Sequence, residues 1–396
     1  MKAQHKFGLA VSWPRITAVF LIDVAVLAIA SHCPDAWQAG HAAWWVGVGI
    51  AAVVTLVAML TYRRIPLASA PIARVRNWYA DPEALTVGCT LPIDHRRRFG
   101  RDVVGVREHD GRLVTVIAVQ GAAETSAGRH HHREVSAATL PLEAVATALR
   151  QFDVRLDGVD IISVGTRRVR RGLKDWASSV HDDSGRVDDP RPLDERSTWL
   201  VVRMDPQRNV TAVAARDSVA STLAAATERL ADDLDGRSCT ARPLTADEIV
   251  DVDDAVLAGL QPAQIRPYWR HLKTPDRYVT SFWVSPPDIT AETMEQLWLT
   301  DTDATVVTVR LIARGSGAAV SAWVRYHSDK RLRREFWSGL NRLTGRQLRA
   351  VGDSLPAPTS RRPLAMPSRA VGDGEGIAVP VGAVSRQSMS PAGMPR

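Results

Sequence analysis

Lysine and cysteine are both scarce in this sequence, and each shortage excludes a class of protein. Only five of the 50 basic residues are lysines, and none of the five follows Gly and precedes Ser or Thr, as the lysine of a phosphate-binding loop does. The three cysteines, Cys33, Cys89 and Cys239, cannot all pair and show no C-x-x-C spacing. The chain is therefore not a P-loop ATPase, and a secreted disulfide framework is disfavoured.

Recognisable catalytic and metal-binding motifs are missing as well. Neither G-x-S-x-G nor H-E-x-x-H occurs, and the three histidines at 130–132 stand in a polar stretch without a second group of ligands. The net charge of +7 is small for 396 residues, which is a weak electrostatic signal for nucleic-acid binding. We therefore assign no catalytic, cofactor-binding or metal-binding residue, and we expect neither a nucleic-acid partner nor a small-molecule substrate.

Long apolar runs, by contrast, occupy the first 62 residues. Residues 16–30 carry one charge, Asp23, and the run reaches bilayer length when it is extended back to Gly8, while residues 42–62 carry none. We predict a hairpin of two transmembrane helices, spanning about residues 8–30 and 42–62. The alternative is a cleaved signal peptide, which Asp23 and the second apolar run disfavour.

Basic residues flank this hairpin on its outer sides only. They are Lys2, Lys6 and Arg15 before it, and Arg63, Arg64, Arg74 and Arg76 after it. The linker between the two runs contains no Lys or Arg. Because basic residues remain on the cytoplasmic side of a membrane, we expect a multi-pass membrane protein whose termini and main domain are cytoplasmic.

Two features of the hairpin are candidate packing sites. Ala43, Gly47 and Ala51 recur every four residues and form a ridge of small residues that lets another helix approach closely. The approaching helix is either a partner's or the other helix of the same hairpin. Asp23 is costly inside a membrane span, so it either contacts a partner subunit or is a protonated or hydrogen-bonded residue near one leaflet.

The rest of the chain divides into a basic connector at 63–98, a domain at 99–355 and a tail at 356–396. The connector is either a site for anionic lipid headgroups or a solvated loop. Strand hairpins predicted at Asp110-Gly111 and at Gly315–Gly317 alternate with helices, which indicates an α+β or mixed-sheet α/β domain. The tail is rich in Pro, Gly and Ser, so we expect disorder.

Within the domain, two further segments bear on function. Residues 329–351 are predicted to form a basic helix, either a contact surface or a solvated face over a packed apolar stripe. Asp301-Thr302-Asp303 resembles a D-x-D pair that holds a divalent cation in a metal-dependent glycosyltransferase. Since the pair precedes the strand TVVTV rather than following one, a capped turn is the favoured interpretation.

Several long stretches resemble the EccE family, membrane components of mycobacterial type VII (ESX) secretion systems, and in particular the paralogue of the fifth ESX system. The stretches that carry the resemblance are FGLAVSWPRITAVFLIDVAVLAIASHCPDAW, AAWWVGVGIAAVVTL, IDHRRRFGRDVVGVRE, TWLVVRMDPQRNVTAVAARDS, TDATVVTVR and SAWVRYHSD. The match runs from the N-terminus to about residue 350.

The resemblance implies a structural subunit at the periphery of an inner-membrane complex. The implied partners are EccB, EccC, EccD, further EccE protomers and an associated mycosin protease, with EccC supplying the ATPase motor. The implied exported substrates are PE, PPE and Esx proteins. The family's soluble domain is similar in shape to glycosyltransferases but has no established activity, so no catalytic residue is carried over to this sequence.

Overall fold

The computed structural model of the chain falls into two compact units, residues 1–80 and 81–396. It describes residues 7–9, 13–32, 41–62, 65–66, 69–85, 90–98, 100–121, 139–167, 195–216, 218–236, 239–315, 317–337, 339–357, 364–372 and 377–382. The histidines at 130–132, Cys33, Cys89 and most of the polar stretch 172–197 lie outside the described residues.

The first unit consists of two long helices and a small sheet. Its elements are β1 (Phe7–Leu9), α1 (Trp13–Ser31), α2 (Ala42–Met59), β2 (Leu60–Tyr62), β3 (Ile65–Pro66) and α3 (Ser69–Trp78). Strand β1 pairs antiparallel with β2, and β2 with β3. Because β1 precedes α1 and β2 follows α2, the pairing joins the two outer ends of a helical hairpin.

The second unit alternates strands with short helices. Its strands are β4 (Ile93–Arg96), β5 (Val103–His109), β6 (Arg112–Gly121), β7 (Thr139–Pro141), β8 (Arg150–Gln151), β9 (Val154–Arg155), β10 (Gly158–Thr166), β11 (Glu195–Met204), β12 (Cys239–Pro243), β13 (Arg266–Pro267), β14 (Leu272–Lys273), β15 (Tyr278–Trp283), β16 (Ala304–Arg314), β17 (Gly317–Ser328), β18 (Asn341–Arg342), β19 (Arg369–Ala370) and β20 (Ala378–Pro380). Its helices are α4 (Leu142–Thr147), α5 (Val210–Ala214), α6 (Val219–Leu234), α7 (Ala246–Leu257), α8 (Ala291–Gln296) and α9 (Gln347–Gly352).

One large antiparallel sheet organises this unit. Its order is β13-β14-β15-β17-β16-β10-β11-β6-β5-β4, and β12, β18 and β19 add to β6, β15 and β17. The central strands β10 and β16 are distant in sequence but pair over nine residues, from Gly158 opposite Ile312 to Thr166 opposite Ala304. Of the two predicted fold classes, α+β fits, since every pairing between the described strands of this sheet is antiparallel.

The two faces of the sheet differ in chemistry because side chains alternate along each strand. On one face, residues such as Ile161, Leu200 and Val309 pack in an apolar core with side chains of α4, α6 and α8, including Leu230. The other face carries charged residues among the apolar ones, and α7 and α9 contact it. The apolar face is the main core, and the charged face positions the groups considered below.

Both predicted strand hairpins are confirmed. The β5–β6 turn is Asp110-Gly111, and both residues have positive φ, as a two-residue hairpin turn with right-handed twist requires. The β16–β17 turn contains Gly315, also with positive φ. A capping box between Thr245 and Glu248 starts α7, as the sequence TADE indicates.

The predicted basic helix over 329–351 is wrong. The segment instead contains a turn of 3-10 helix at Arg334–Trp337, the short strand β18 and the helix α9. Gly339 and Gly345 have φ of 93° and 71°, a conformation that interrupts a right-handed helix. A Cβ atom at Gly345 would also lie 2.2 Å from the ring of Trp269, so the close approach of that ring fixes the break.

The prediction of a disordered tail is also wrong for the parts of 356–396 that the structure describes. Strand β19 pairs with β17, and β20 pairs with β7. Among the described residues of this segment, Ala357, Leu364, Ile377, Val379 and Val381 are buried apolar side chains. The prediction rested on composition alone, which does not reveal single apolar residues that lie between the Pro and Gly residues and pack into the core.

Candidate functional site: a helical hairpin and a charged sheet face

The ridge of small residues lies between the two helices of the hairpin. Ala43, Gly47 and Ala51 are the buried residues of α2. A Cβ atom added at Gly47 would lie 2.7 Å from the Cβ of Ala30, so only glycine permits this approach of α1 to α2. The structure therefore has the internal arrangement, in which the ridge packs its own hairpin.

Asp23 also has a partner inside the hairpin. The Thr55 hydroxyl of α2 donates a hydrogen bond of 2.7 Å to the Asp23 carboxylate of α1. Sequence analysis missed Thr55, although a single hydroxyl in an otherwise apolar helix was the available signal. The bond ties the two helices together at a polar point and provides local compensation for the carboxylate.

The outer faces of the hairpin are apolar and exposed. The exposed large side chains are Trp13, Phe20, Leu21, Ile22, Val24 and Ile29 of α1 and Trp44, Trp45, Val46, Ile50, Val53, Leu56 and Val57 of α2. Among the described residues, one helix, Ala42–Met59, is long and apolar enough to cross a membrane, and Ile16–Ser31 is apolar but shorter. An apolar surface of this extent calls for a cover of lipid or protein.

The charged face of the sheet contains a buried ion network centred on Asp160. Arg310, directly opposite on β16, contacts the Asp160 carboxylate through Nε at 2.9 Å and Nη2 at 2.8 Å. Arg203 on β11 contacts it through Nη1 at 2.6 Å. Arg310 also donates to the Asp353 side chain at 3.4 Å and to its backbone carbonyl at 3.0 Å, which connects the sheet to the end of α9.

This network is charged in the folded protein. Burial by itself raises the pKa of Asp160, but Arg203 and Arg310 outweigh burial, so the pKa lies below the ordinary value. The pKa of Arg310 is raised, because Asp160 and Asp353 outweigh its burial. Each charge therefore compensates another within the core, which a buried charge requires.

Two further basic groups are buried on the same face beside α7. Arg325 donates to the backbone carbonyl of Val256, in the last turn of α7, where helix carbonyls need donors. Burial lowers the pKa of Arg325 to about 9. Burial, and then Arg325 and Arg277, lower the pKa of His327 well below 6.5. Neither ring nitrogen of His327 has a hydrogen-bond partner among the described residues.

Asp301 and Asp303 lie in the turn that leads into β16. The backbone N–H of Asp303 donates to the backbone carbonyl of His327 at 2.8 Å, and the carbonyl of Asp303 accepts from the backbone N–H of Arg167 at 2.9 Å. The intervening Thr302 is buried and its hydroxyl contacts that of Thr305 at 2.9 Å. Among the described residues, no group of three or more His, Cys, Asp or Glu side chains could hold a metal ion. The glycosyltransferase alternative has no support here.

Two arginines of the segment predicted as a basic helix, Arg331 and Arg342, lie over aromatic rings of β15, and the Arg342 guanidinium is 5.5 Å from the ring centre of Phe282. The guanidinium of Arg331 lies 5.6 Å from the ring centre of Tyr278, and the Lys273 ammonium lies 5.8 Å from it. Burial, followed by Arg331, Arg342 and Lys273, lowers the pKa of His271. These contacts hold cations over aromatic rings, and they bring together residues that are far apart in sequence.

Comparison with known proteins gives consistent matches. A family model for the type VII ESX secretion system translocon EccE matches residues 193–284. The chain is 57% identical over 393 residues to the ESX-5 secretion system protein EccE5 of Mycobacterium tuberculosis (strain ATCC 25618 / H37Rv), covering 96% of this chain and 97% of that protein. It is 53% identical over 401 residues to EccE5 of Mycobacterium marinum (strain ATCC BAA-535 / M), covering 98% and 99%.

A more distant relative is also named as an ESX secretion system protein. The chain is 28% identical over 285 residues to the ESX-1 secretion system protein EccE1 of Mycobacterium tuberculosis (strain ATCC 25618 / H37Rv), covering 68% of this chain and 55% of that protein. An apolar helical hairpin followed by an α+β unit, together with these relatives, defines a protein of the type VII secretion class. The chain belongs to the EccE family, and its near full-length matches are to ESX-5 members.

Proposed function

We propose that this protein is a structural, non-enzymatic subunit of a type VII (ESX) secretion complex of the inner membrane. The observation that carries the proposal is the 57% identity to an ESX-5 EccE protein over nearly the full length of both chains. The ion network on Asp160 connects β10, β11, β16 and the end of α9. Such buried charges hold a domain in one arrangement, which suits a subunit that supports an assembly.

In this proposal the hairpin is the membrane anchor. At 1.5 Å per residue, α1 and α2 are each about 27 Å long, close to the thickness of the hydrocarbon core. Their exposed apolar faces would contact lipid or a neighbouring helix, while Asp23 is bonded to Thr55 inside the hairpin. The basic residues outside the hairpin favour cytoplasmic termini and a cytoplasmic main unit. Pairing of β1 with β2 supports this, because it joins the two outer ends.

The proposed partners are EccB, EccC, EccD and further EccE protomers, with a mycosin protease associated. The chain has no phosphate-binding loop, so the energy for export would come from another subunit, which the family resemblance identifies as EccC. Since the small-residue ridge is buried in the hairpin, neighbouring helices would contact the outer apolar faces instead. The cargo would be PE, PPE and Esx proteins, and lipids would surround the hairpin.

Purification of a tagged chain in mild detergent, followed by a native gel and mass spectrometry of the bands, tests the assembly. We expect the chain to migrate with EccB, EccC and EccD in one large band. A small species containing this chain alone, in several detergents, would contradict the proposal.

Labelling of single cysteines with a membrane-impermeant reagent tests the topology. For this, Cys33, Cys89 and Cys239 are replaced by serine, and one cysteine is introduced at Ala3, in the hairpin linker at Gly40, or at Ser69. In intact cells stripped of their outer layers, only the linker cysteine is expected to react. Reaction at Ala3 or Ser69 would contradict cytoplasmic termini.

A further inference from the structure

A strained, exposed aromatic residue stands at the tip of a tight turn in the second unit. Strands β8 and β9 are joined by two residues, Phe152 and Asp153, with Gln151 paired to Val154. Phe152 has a φ of 52°, in the left-handed region that favours glycine or asparagine, and its side chain is 96% exposed. A bulky residue in this conformation is rare, so the position asks for an explanation.

The fold holds this turn firmly. Asn209, itself buried, accepts from the backbone N–H of Arg155 at 2.7 Å and donates to its carbonyl at 2.9 Å. Gln151, also buried, donates to the carbonyl of Ala226 on α6 at 3.0 Å. Arg216 contacts both carboxylate oxygens of Asp153, at 2.7 and 2.9 Å. The turn is therefore pre-organised before any partner arrives, which lowers the entropy lost on association.

The charges around the ring are mostly basic. Arg150 and Arg155 flank the turn and are exposed, and the guanidinium of Arg229 lies 5.6 Å from the centre of the Phe152 ring. Asp153 is the acidic residue of the turn, and Arg216 is already bonded to it. The surface that surrounds the exposed ring is thus positive.

The core does not account for Phe152. Its ring is almost entirely in solvent, whereas Leu149, Val154 and Leu156, on both sides of the turn, belong to the apolar core. Glycine or asparagine would fit the backbone better and expose less apolar surface. Strain of this kind persists where the surrounding structure imposes it, and it accumulates at functional sites.

We propose that Phe152 is the anchor of a protein–protein contact and inserts into an apolar pocket with an acidic rim on another subunit of the secretion complex. The inference rests on the proposed function. A protein pocket fits better than a membrane surface, because one ring on a rigid turn provides a single anchor and its neighbours are charged. Interface energy commonly concentrates in such a buried aromatic side chain.

The test compares the full-length tagged chain with Phe152→Asn and Phe152→Gly variants in cells that express the other subunits. Both replacements tolerate positive φ, so we expect a thermal midpoint equal to or above that of the wild type. Loss of the anchor should weaken association about 30-fold or more, as removal of a central aromatic contact commonly does. The readout is the ratio of co-purified subunits to tagged chain over serial dilution, measured by quantitative mass spectrometry.

Two matched variants give the comparison its specificity. Phe336→Asn removes the same ring from another exposed position, where Phe336 is 49% exposed, and it should leave the ratio unchanged. Phe152→Tyr keeps an aromatic anchor and should retain most of the association.

The outcomes separate the inference from the function on which it rests. An unchanged ratio in both Phe152 variants, beside a wild type that assembles, would overturn the inference alone. Equal losses in the Phe152 and Phe336 variants would also overturn it, as would a lower thermal midpoint in both Phe152 variants, because the ring would then support the fold. A wild-type chain that purifies alone would overturn the proposed function and the inference together.

Discussion

Replacement of Asp160 by Asn tests whether the buried ion network holds the second unit together. Asp160 is fully buried and accepts three hydrogen bonds, two from Arg310 and one from Arg203. A hydrogen bond to a charged group contributes about 1.5–3 kcal/mol, and Asn retains one acceptor oxygen. Asp160 Oδ1 accepts one of the three bonds and Oδ2 accepts two, so Asn loses one or two of them. That loss amounts to about 1.5–6 kcal/mol, a range that includes the roughly 3–5 kcal/mol for breaking a buried ion pair.

Asp157→Asn, three residues earlier in the chain, is the matched control. Asp157 also contacts two arginines, Arg112 at 3.1 Å and Arg208 at 3.3 Å. Burial raises the pKa of Asp157 despite both arginines, whereas the pKa of Asp160 is lowered. Because burial already favours the neutral form of Asp157, neutralising it should not lower the free energy of unfolding.

The assay is thermal and denaturant unfolding of the detergent-solubilised chain, followed by tryptophan fluorescence at pH 7. For a unit of this size we expect Asp160→Asn to lower the thermal midpoint by at least about 3 °C, and Asp157→Asn not to lower it. Equal effects of the two variants, or an Asp160 variant within about 1 kcal/mol of the wild type, would refute the argument that the network is a stabilising, charged core.

Three further outcomes follow from the structure. His327→Gln should make stability less sensitive to acid. Burial holds the folded-state pKa of His327 well below 6.5, so the unfolded chain binds the proton first, and the wild type loses stability between pH 7 and 5 that the variant keeps. If urea titrations at the two pH values show the same loss of stability for wild type and variant, this reasoning is contradicted. Arg325→Met removes a buried guanidinium whose pKa is lowered, so it should leave the thermal unfolding midpoint unchanged or raise it. A drop of several degrees would show that the hydrogen bond to Val256 stabilises the fold by more than the burial of the guanidinium costs. Gly47→Leu should separate α1 from α2 and so abolish cross-linking between cysteines placed on the two helices. Gly49→Leu is the control and should leave the cross-linking intact, because a Cβ at Gly49 meets nothing within 4 Å. Cross-linking that survives in Gly47→Leu would refute the close approach of the helices.

Local sequence signals predicted the parts of the fold that local chemistry decides. Asp110-Gly111 adopts the positive φ angles that a two-residue hairpin needs, and Thr245 with Glu248 forms a capping box. Both features depend on residues only a few positions apart. Apolar length likewise predicted two helices, but with bounds that were too wide: the spans of about 8–30 and 42–62 include residues of strands β1 and β2, and the helices are Trp13–Ser31 and Ala42–Met59.

Long-range contacts decided the parts that the sequence left undetermined or suggested wrongly. Asp160, Arg203 and Arg310 each stand in an apolar strand, but their convergence depends on a sheet order that places β10 beside β16. The helix predicted at 329–351 does not form, because Gly339 and Gly345 have positive φ, and the ring of Trp269 occupies the space that a Cβ at Gly345 would need. Phe152 could not be singled out from the sequence, because the two properties that mark it, a positive φ angle and an exposed ring, are visible only in the structure.

Restoration of export in a strain that lacks this chain tests the central claim most directly. The strain is complemented with wild-type chain or with an Asp301→Asn, Asp303→Asn double variant, and both the assembled complex on a native gel and the secreted ESX substrates are measured. If the chain is a structural subunit without chemistry of its own, the assembled complex and the export of substrates should both be lost in the deletion strain. Both should be restored equally by the wild-type chain and by the double variant. A variant that restores the complex but not export would contradict the account and would assign a catalytic role to these two carboxylates.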